Sequence, residues 1–240
     1  KRMLKARVYL AGLSLAVAAS VAHADVTATP AVTSDYDFRG ISQSAASPAA
    51  SVGVDFNKSA LHLGTWVSTI QWGPTYKGNK EWDLLADYTF GSDDTVKVNV
   101  GVIDYMYPSM TDQNTIEPWV TVSKNWFSGS VRYSNDWYTL GKAYYFEANG
   151  TFPLGDSGYS LGVHAGRSQG DAWKGIEYTD GSLSLSKTFG NFTGALKYVT
   201  SDAPELTSSQ SKKAFGKANV FETRDRVILT VSTTLPWASK

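Results

Sequence analysis

Apolar and polar residues alternate with a period of two along most of the chain beyond residue 25. Successive side chains of a strand point to opposite faces, so this alternation predicts strands with one apolar and one polar face. In residues 96–102, for example, four valines alternate with Lys97, Asn99 and Gly101. The pattern predicts twelve strands, over residues 26–39, 50–56, 61–70, 81–90, 96–102, 116–124, 130–134, 142–152, 159–167, 176–189, 192–200 and 226–235.

The connections between these strands alternate between short and long. Short turns such as 57–59 and 91–94 are followed by longer connections such as 71–80 and 104–115, and the longest spans 201–222. Barrels of the bacterial outer membrane have short periplasmic turns and longer extracellular loops. The sequence therefore predicts an all-β fold, a transmembrane antiparallel up-and-down β-barrel of about twelve strands.

Aromatic residues cluster where the predicted strands end, which is typical of the two interfacial girdles of a membrane barrel. A soluble β-sandwich or a lipocalin-like barrel also places aromatic residues at strand ends, but the almost wholly polar second face of several strands argues against both. The predicted periplasmic girdle comprises Phe56, Phe90, Trp126, Phe127, Phe152, Phe189 and Phe192, and the outer girdle comprises Tyr36, Trp72, Tyr105, Trp137, Tyr144, Trp173 and Tyr198.

The first residues have the pattern of a secretory signal. Basic residues within 1–7 precede an apolar run over 8–21, which ends at Ala22-His23-Ala24. The run is shorter than the roughly 20 residues of a membrane-spanning helix, which disfavours an anchor. We therefore expect a cleaved signal peptide over residues 1–24 and a barrel domain over 25–240, exported to the outer membrane of a Gram-negative cell. The expected partners are outer-membrane lipid and, during assembly, the outer-membrane insertion machinery.

Composition argues against several classes of function. The chain has 22 basic and 22 acidic residues, and the signal segment takes four of the basic ones, so the remainder is acidic and has no footprint for nucleic acid. Cysteine is absent, which excludes a disulfide framework and a thiolate site. His62 and His164 stand alone, no Gly-x-Ser-x-Gly pattern occurs, and metal-ligand spacing is missing. We therefore predict no catalytic residues, no metal and no cofactor. An outer-membrane enzyme, or an adhesin or scaffold acting through loop 201–222, remains the alternative.

Residues 34–44, Ser-Asp-Tyr-Asp-Phe-Arg-Gly-Ile-Ser-Gln-Ser, hold the densest mixture of charge and aromatic rings. We expect this segment to finish the first barrel strand, with Tyr36 and Phe38 at the outer lipid boundary. Asp35, Asp37 and Arg39 then face the lumen near the external mouth, and the first outer loop begins at Gly40.

The polar faces of the strands supply the predicted lumen. One interpretation is that these charges hydrate and cross-link a narrow pore; the other is that opposed acidic and basic residues create a transverse field that orients charged or zwitterionic solutes. The predicted pore-lining residues are Asp35, Asp37, Arg39, Asp55, Asp83, Asp87, Lys97, Arg132, Glu147, His164 and Lys197.

Residues 34–44 resemble the opening motif of the TorF porin family, and weaker similarity follows at 64–68, 81–84, 101–108, 133–137 and 226–232. The resemblance implies an outer-membrane channel for passive diffusion of small hydrophilic solutes, with the solute itself unassigned. Such barrels usually end on an aromatic residue. Here Leu235 occupies that position, Pro236 follows, and Trp237 keeps the same parity, so either Leu235 or Trp237 ends the closing strand.

Overall fold

The computed structural model describes residues 25–236 except 75, 77, 93 and 206. The predicted signal segment and Trp237 lie outside the described residues. The strands are β1 Asp25–Thr33, β2 Asp37–Phe38, β3 Ile41–Ser42, β4 Ala49–Lys58, β5 Leu61–Thr69, β6 Lys80–Phe90, β7 Lys97–Met106, β8 Thr115–Lys124, β9 Phe127–Ser134, β10 Ala143–Pro153, β11 Tyr159–Gln169, β12 Tyr178–Phe189, β13 Phe192–Ser201 and β14 Arg226–Thr233. The helices are α1 Ser208–Phe215 and three single 3₁₀ turns, Thr111–Gln113, Gly155–Ser157 and Asp171–Trp173.

Twelve strands, β1 and β4 to β14, close into one antiparallel barrel in which each strand pairs with its neighbours in the chain. β1 completes the ring by pairing with β14 on one side and β4 on the other. Beyond β14, Leu235 exchanges two backbone hydrogen bonds with Ala28, at 2.7 and 2.9 Å, which extends this closing seam. The structure confirms the predicted fold class and strand number.

The outward face of the barrel is apolar. Val32, Phe189 and Val227 are each about 60% exposed, the reverse of their usual burial in a soluble protein. Rings near the short turns, among them Phe90, Trp126, Phe127, Phe189 and Phe192, are exposed as the predicted periplasmic girdle requires. None of the helices among the described residues is long and apolar enough to cross a membrane.

The apolar core of the molecule lies beneath the long loops rather than inside the barrel wall. Each of the six long connections contributes a buried side chain to one cluster, which we call the loop cap. Its loop members are Ala45, Ile70, Trp72, Tyr107, Trp137, Ala172 and Val220. The six loops therefore pack against one another over one end of the barrel.

The loop cap corrects the predicted outer girdle. Trp72, Tyr105 and Trp137 are at most 5% exposed, and Trp173 packs against the same cluster. These rings are buried because the long loops fold inward over the mouth, where apolar side chains can leave water. Tyr144 and Tyr198 do face outward, together with Trp82, which the prediction did not include in the girdle.

Candidate pore lumen

The first long connection, residues 34–48, folds into the barrel as a small hairpin built from β2 and β3; we call it the lumen hairpin. Its turn is Arg39-Gly40, with φ of +52° and +79°. A Cβ on Gly40 would lie 2.7 Å from Asp180 Cβ and 2.9 Å from Ser201 Cβ, so the turn rests directly against the inner wall at β12 and β13. Only glycine leaves room for this approach.

The predicted first strand over 26–39 was therefore wrong beyond Thr33. Alternation of rings and charges fits a two-stranded hairpin as well as a barrel strand, because both have a side-chain period of two. Tyr36 and Phe38 also do not face lipid. They turn inward, where Tyr36 contacts Trp66 at a centroid distance of 5.2 Å and Phe38 contacts Tyr105 at 5.7 Å.

Two acidic residues anchor the base of the lumen hairpin. Asp35 accepts hydrogen bonds from Ser42 Oγ at 2.5 Å, Ser44 Oγ at 2.8 Å and Arg226 Nε at 2.6 Å. The guanidinium of Arg226 also donates to Asp37, whose other carboxylate oxygen lies 3.0 Å from Lys197 Nζ. Charge-assisted hydrogen bonds of this kind hold the hairpin to β13 and β14.

The side chain of Arg39 links the tip of the hairpin to the opposite wall of the barrel. Its Nη2 lies 2.6 Å from Glu117 Oε1 on β8, and both side chains are almost fully buried. The guanidinium also stacks over three rings, 4.7 Å from the centroid of Phe38, 5.0 Å from Trp137 and 4.1 Å from Tyr145. The hairpin and this side chain together divide the interior of the barrel.

The barrel wall adds further ion pairs. Arg132 Nε lies 2.9 Å from Glu147 Oε1 and Arg132 Nη1 lies 3.7 Å from Glu117 Oε1. On the neighbouring strands, His164 Nε2 lies 2.9 Å from Asp180 Oδ1, and His164 Nδ1 lies 2.7 Å from Asn149 Oδ1.

His62 on β5 connects two carboxylates on the strands that flank it, β4 and β6. Its Nε2 lies 2.9 Å from Asp55 and its Nδ1 lies 2.8 Å from Asp87. Both ring nitrogens are thus occupied, as they are in His164. Neither histidine has a ring nitrogen left to activate a nucleophile in this arrangement.

The interior holds a cavity of about 590 Å³ below the hairpin. Eight of the eleven predicted residues line it: Asp37, Arg39, Asp83, Asp87, Arg132, Glu147, His164 and Lys197. Asp35 lies behind the hairpin, Asp55 reaches the cavity only through His62, and Lys97 lines a separate cavity of about 320 Å³ near the short turns. Residues of both signs from opposite parts of the chain therefore meet around one space.

Sequence reasoning missed several residues of this lumen, notably Glu117, Asp180 and Trp119. Asp180 shares the parity of the polar serines of β12, so alternation alone identifies it. Trp119 obscured the parity of β8, because a tryptophan on the polar face contradicts simple alternation. It fits because Gly101 lies beneath it; a Cβ on Gly101 would come within 2.3 Å of the indole ring.

A second cavity of about 400 Å³ lies on the outer side of the hairpin, within the loop cap. Phe38 lines both cavities, so the hairpin separates a charged inner space from an aromatic outer one. Among the residues that the structure describes, no group of three or more His, Cys, Asp or Glu side chains is placed to hold a metal ion.

Comparison with solved structures finds a porin among the similar folds. The KdgM porin, solved in complex with disordered oligogalacturonate, has a TM-score of 0.55 at 10% identity, covering 90% of this chain and 100% of KdgM. A protein from a study of in-meso crystallization of membrane proteins has a TM-score of 0.53 at 9% identity, covering 87% and 82% of the two chains. At these identities the likeness concerns the fold alone.

A search among curated proteins gave no match. A family model described as a bacterial protein of unknown function, Gcw_chp, matches residues 17–229. The match covers most of the barrel, including the lumen hairpin and the strands that line the cavity. The chain belongs to the Gcw_chp family.

Proposed function

We propose that this protein is a porin-like channel of the outer membrane, through which small hydrophilic solutes diffuse passively along a narrow polar lumen. The observation that carries the proposal is the inversion of polarity. A closed barrel exposes valine, leucine and phenylalanine on its outside and encloses a cavity lined by eight of the predicted charged residues. A wall of this kind suits lipid outside and water with solute inside.

The twelve-stranded size supports a narrow passage. Barrels of about 8 strands have filled interiors and those of 16 to 18 leave an aqueous channel. Here the lumen hairpin fills part of the interior, and the remaining cavity is about 590 Å³. This volume suits solutes of a few to about twenty non-hydrogen atoms, since ligand pockets of about 300–1,000 Å³ enclose molecules up to drug size.

Pairing of the lumen charges favours cross-linking as their main role. Arg39, Arg132 and Lys197 each have a carboxylate partner, which lowers the strength of any transverse field. The TorF resemblance of residues 34–44 fits the same proposal, since that segment forms the hairpin inside the lumen. Delivery by a signal peptide and folding by the outer-membrane insertion machinery belong to this proposal as well.

The proposal is tested with the refolded full-length barrel in planar lipid bilayers. Discrete single-channel steps that scale with salt concentration are the expected result, together with a gel mobility that differs between boiled and unboiled samples. A barrel that shifts on heating but gives no steps would overturn the channel. The packing of all six long loops into one cap would then favour a closed barrel that acts as a surface scaffold or adhesin.

A further inference from the structure

Most acidic side chains inside the barrel have a basic partner. Asp35 and Asp37 contact Arg226, Glu117 contacts Arg39, Glu147 contacts Arg132, Asp180 contacts His164, and Asp55 and Asp87 contact His62. Glu81 and Asp83, two residues apart on the inner face of β6, differ. No lysine, arginine or histidine side chain among the described residues lies within ion-pair distance of either one.

These two carboxyl groups are also deeply buried. Glu81 is 2% exposed and Asp83 is 5% exposed. Tyr107 Oη donates a hydrogen bond of 2.9 Å to Glu81 Oε1, and Tyr36 also interacts with this carboxyl group. Among the described residues, Asp83 Oδ1 has no hydrogen-bond partner. A buried carboxyl oxygen without a partner is costly, and the cost is relieved either by a proton on the carboxyl or by a bound cation.

Aromatic rings surround Asp83 on the inner wall. Trp66 on β5 is its direct partner on one side, and Tyr105 on β7 is its direct partner on the other. The lumen hairpin adds Tyr36, which contacts Trp66, and Phe38, which contacts Tyr105 edge to face. All four rings and Asp83 line the same cavity of about 590 Å³.

A carboxylate among aromatic faces is the arrangement that binds an organic ammonium group. The ring faces attract a weakly hydrated cation. Burial without a basic partner keeps the Asp83 carboxyl protonated before the cation binds, and on binding it releases that proton to water and supplies the opposite charge. An inorganic divalent ion fits less well, because the described residues offer no set of three acidic or histidine ligands there.

We propose that Asp83, together with Trp66 and Tyr105, forms a binding site for organic ammonium groups in the lumen. If the barrel is a channel, this site implies that its solutes carry an ammonium group, and this implication rests on the proposed channel function. Its existence as an equilibrium binding site does not require conduction. The lumen hairpin completes the site, because Tyr36 and Phe38 line the same cavity.

The site is tested by titrating tetramethylammonium chloride into the refolded full-length barrel in detergent micelles, with potassium chloride added to keep ionic strength constant. Isothermal titration calorimetry and quenching of tryptophan fluorescence give the dissociation constant. We expect saturable binding that Asp83→Asn weakens about tenfold or more, since the variant removes the negative charge that attracts the cation. Trp66→Leu should weaken it several-fold through loss of one ring face.

Asp225→Asn is the control, because this aspartate lies outside the cavity, where it accepts hydrogen bonds from Tyr198 and Thr200. The dissociation constant of tetramethylammonium for this variant should stay within about twofold of the wild-type value. Unchanged binding in Asp83→Asn, equal competition by potassium, or no saturable binding would each overturn the site. If Asp83→Asn does not fold, as its gel mobility would show, Trp66→Leu and Tyr105→Leu decide the matter, because each should weaken binding several-fold.

The same barrels reconstituted in bilayers separate the two proposals. Binding without conductance would overturn the proposed channel function and support the proposed binding site. Conductance without binding would support the channel function and overturn the proposed binding site. Conductance that tetramethylammonium blocks in the wild type but not in Asp83→Asn is the result expected when both hold.

Discussion

Arg39 and Glu117 form a buried ion pair, 2.6 Å between Nη2 and Oε1, that joins the tip of the lumen hairpin to strand β8 across the barrel. The two residues are far apart in the chain, and Arg39 belongs to the lumen hairpin, whose strands β2 and β3 are not part of the barrel ring. This pair fixes the tip of the hairpin, and Arg226 holds its base through Asp35 and Asp37. The hairpin is therefore attached to the barrel wall at both ends.

Breaking this pair should loosen the hairpin. Arg39→Met leaves buried Glu117 with only the more distant Arg132, at 3.7 Å, as a cationic neighbour among the described residues, and removing one partner of a buried pair typically costs about 3–5 kcal/mol. We expect a lower free energy of unfolding in urea and larger or noisier single-channel conductance. Arg167→Gln is the control, because Arg167 is exposed and donates a hydrogen bond to Thr179 outside the lumen. Equal conductance in Arg39→Met and the wild type would show that the hairpin does not restrict the pore.

Replacing Asp37 should change ion selectivity. Asp37 faces both Lys197 and Arg226, so Asp37→Asn leaves two cationic groups less neutralised beside the cavity. We expect the reversal potential in a salt gradient to shift toward anions. Asp35→Asn is the matched comparison, since Asp35 shares Arg226 but lies off the cavity. It should lower stability with little effect on selectivity; a larger shift for Asp35→Asn would contradict this assignment.

A charge on the outer face of the barrel should be strongly destabilising. Leu196 lies in the middle of β13 and is 52% exposed. Leu196→Arg should reduce the free energy of unfolding in lipid by about 2–4 kcal/mol if its depth is near the bilayer midplane. Leu140 offers a control, because it is 59% exposed but lies in the loop between β9 and β10. Similar losses in Leu196→Arg and Leu140→Arg would argue against lipid contact at β13.

Acid should loosen the loop cap through Glu222. Hydrogen bonds from Arg224 hold the pKa of the Glu222 carboxyl below its ordinary value of 4.5. Such a group stabilises the fold above its unfolded pKa, and the contribution is lost as pH falls through the lowered folded pKa. Because Glu222 also accepts a backbone hydrogen bond from Ser42 of the lumen hairpin, the loss should reach the hairpin.

Near-ultraviolet circular dichroism of the cap tryptophans follows this change. We expect a transition below about pH 4.5 that is absent in Glu222→Gln, which should show a weakened cap signal already at neutral pH. Glu205→Gln serves as the control, because Glu205 is half exposed and lies 3.5 Å from the same arginine. An identical acid transition in the wild type and in Glu222→Gln would assign it to other groups.

Periodicity predicted most of the barrel because each wall strand has one face in an apolar medium and the other toward polar groups. A strand was predicted over residues 81–90 and observed over Lys80–Phe90. Another was predicted over 192–200 and observed over Phe192–Ser201. Periodicity could not tell a wall strand from a hairpin inside the barrel, which is why Asp37 and Phe38 were assigned to the first strand. Helix α1 was missed, although Thr207 and Gln210 carry a capping-box signature at its start.

The residues of the lumen were predicted in part for the same reason. Parity identified Asp83 and Arg132 as inward-facing, because a charged side chain on a wall strand points away from lipid. It gave no information on pairing, since contacts such as Arg39 with Glu117 join residues far apart in the chain. Parity also could not show that Trp72 and Trp137 are buried, because loops carry no alternation.

The loop cap places a constraint on how this protein can vary. Its core takes at least one side chain from every long connection, so no loop can change length or composition without altering the packing of the other five. In most barrels the external loops are the independent, tolerant part of the molecule. Here a tag or epitope inserted into any one of them should disturb the pore itself, and the short turns at the opposite end are the better sites for labels.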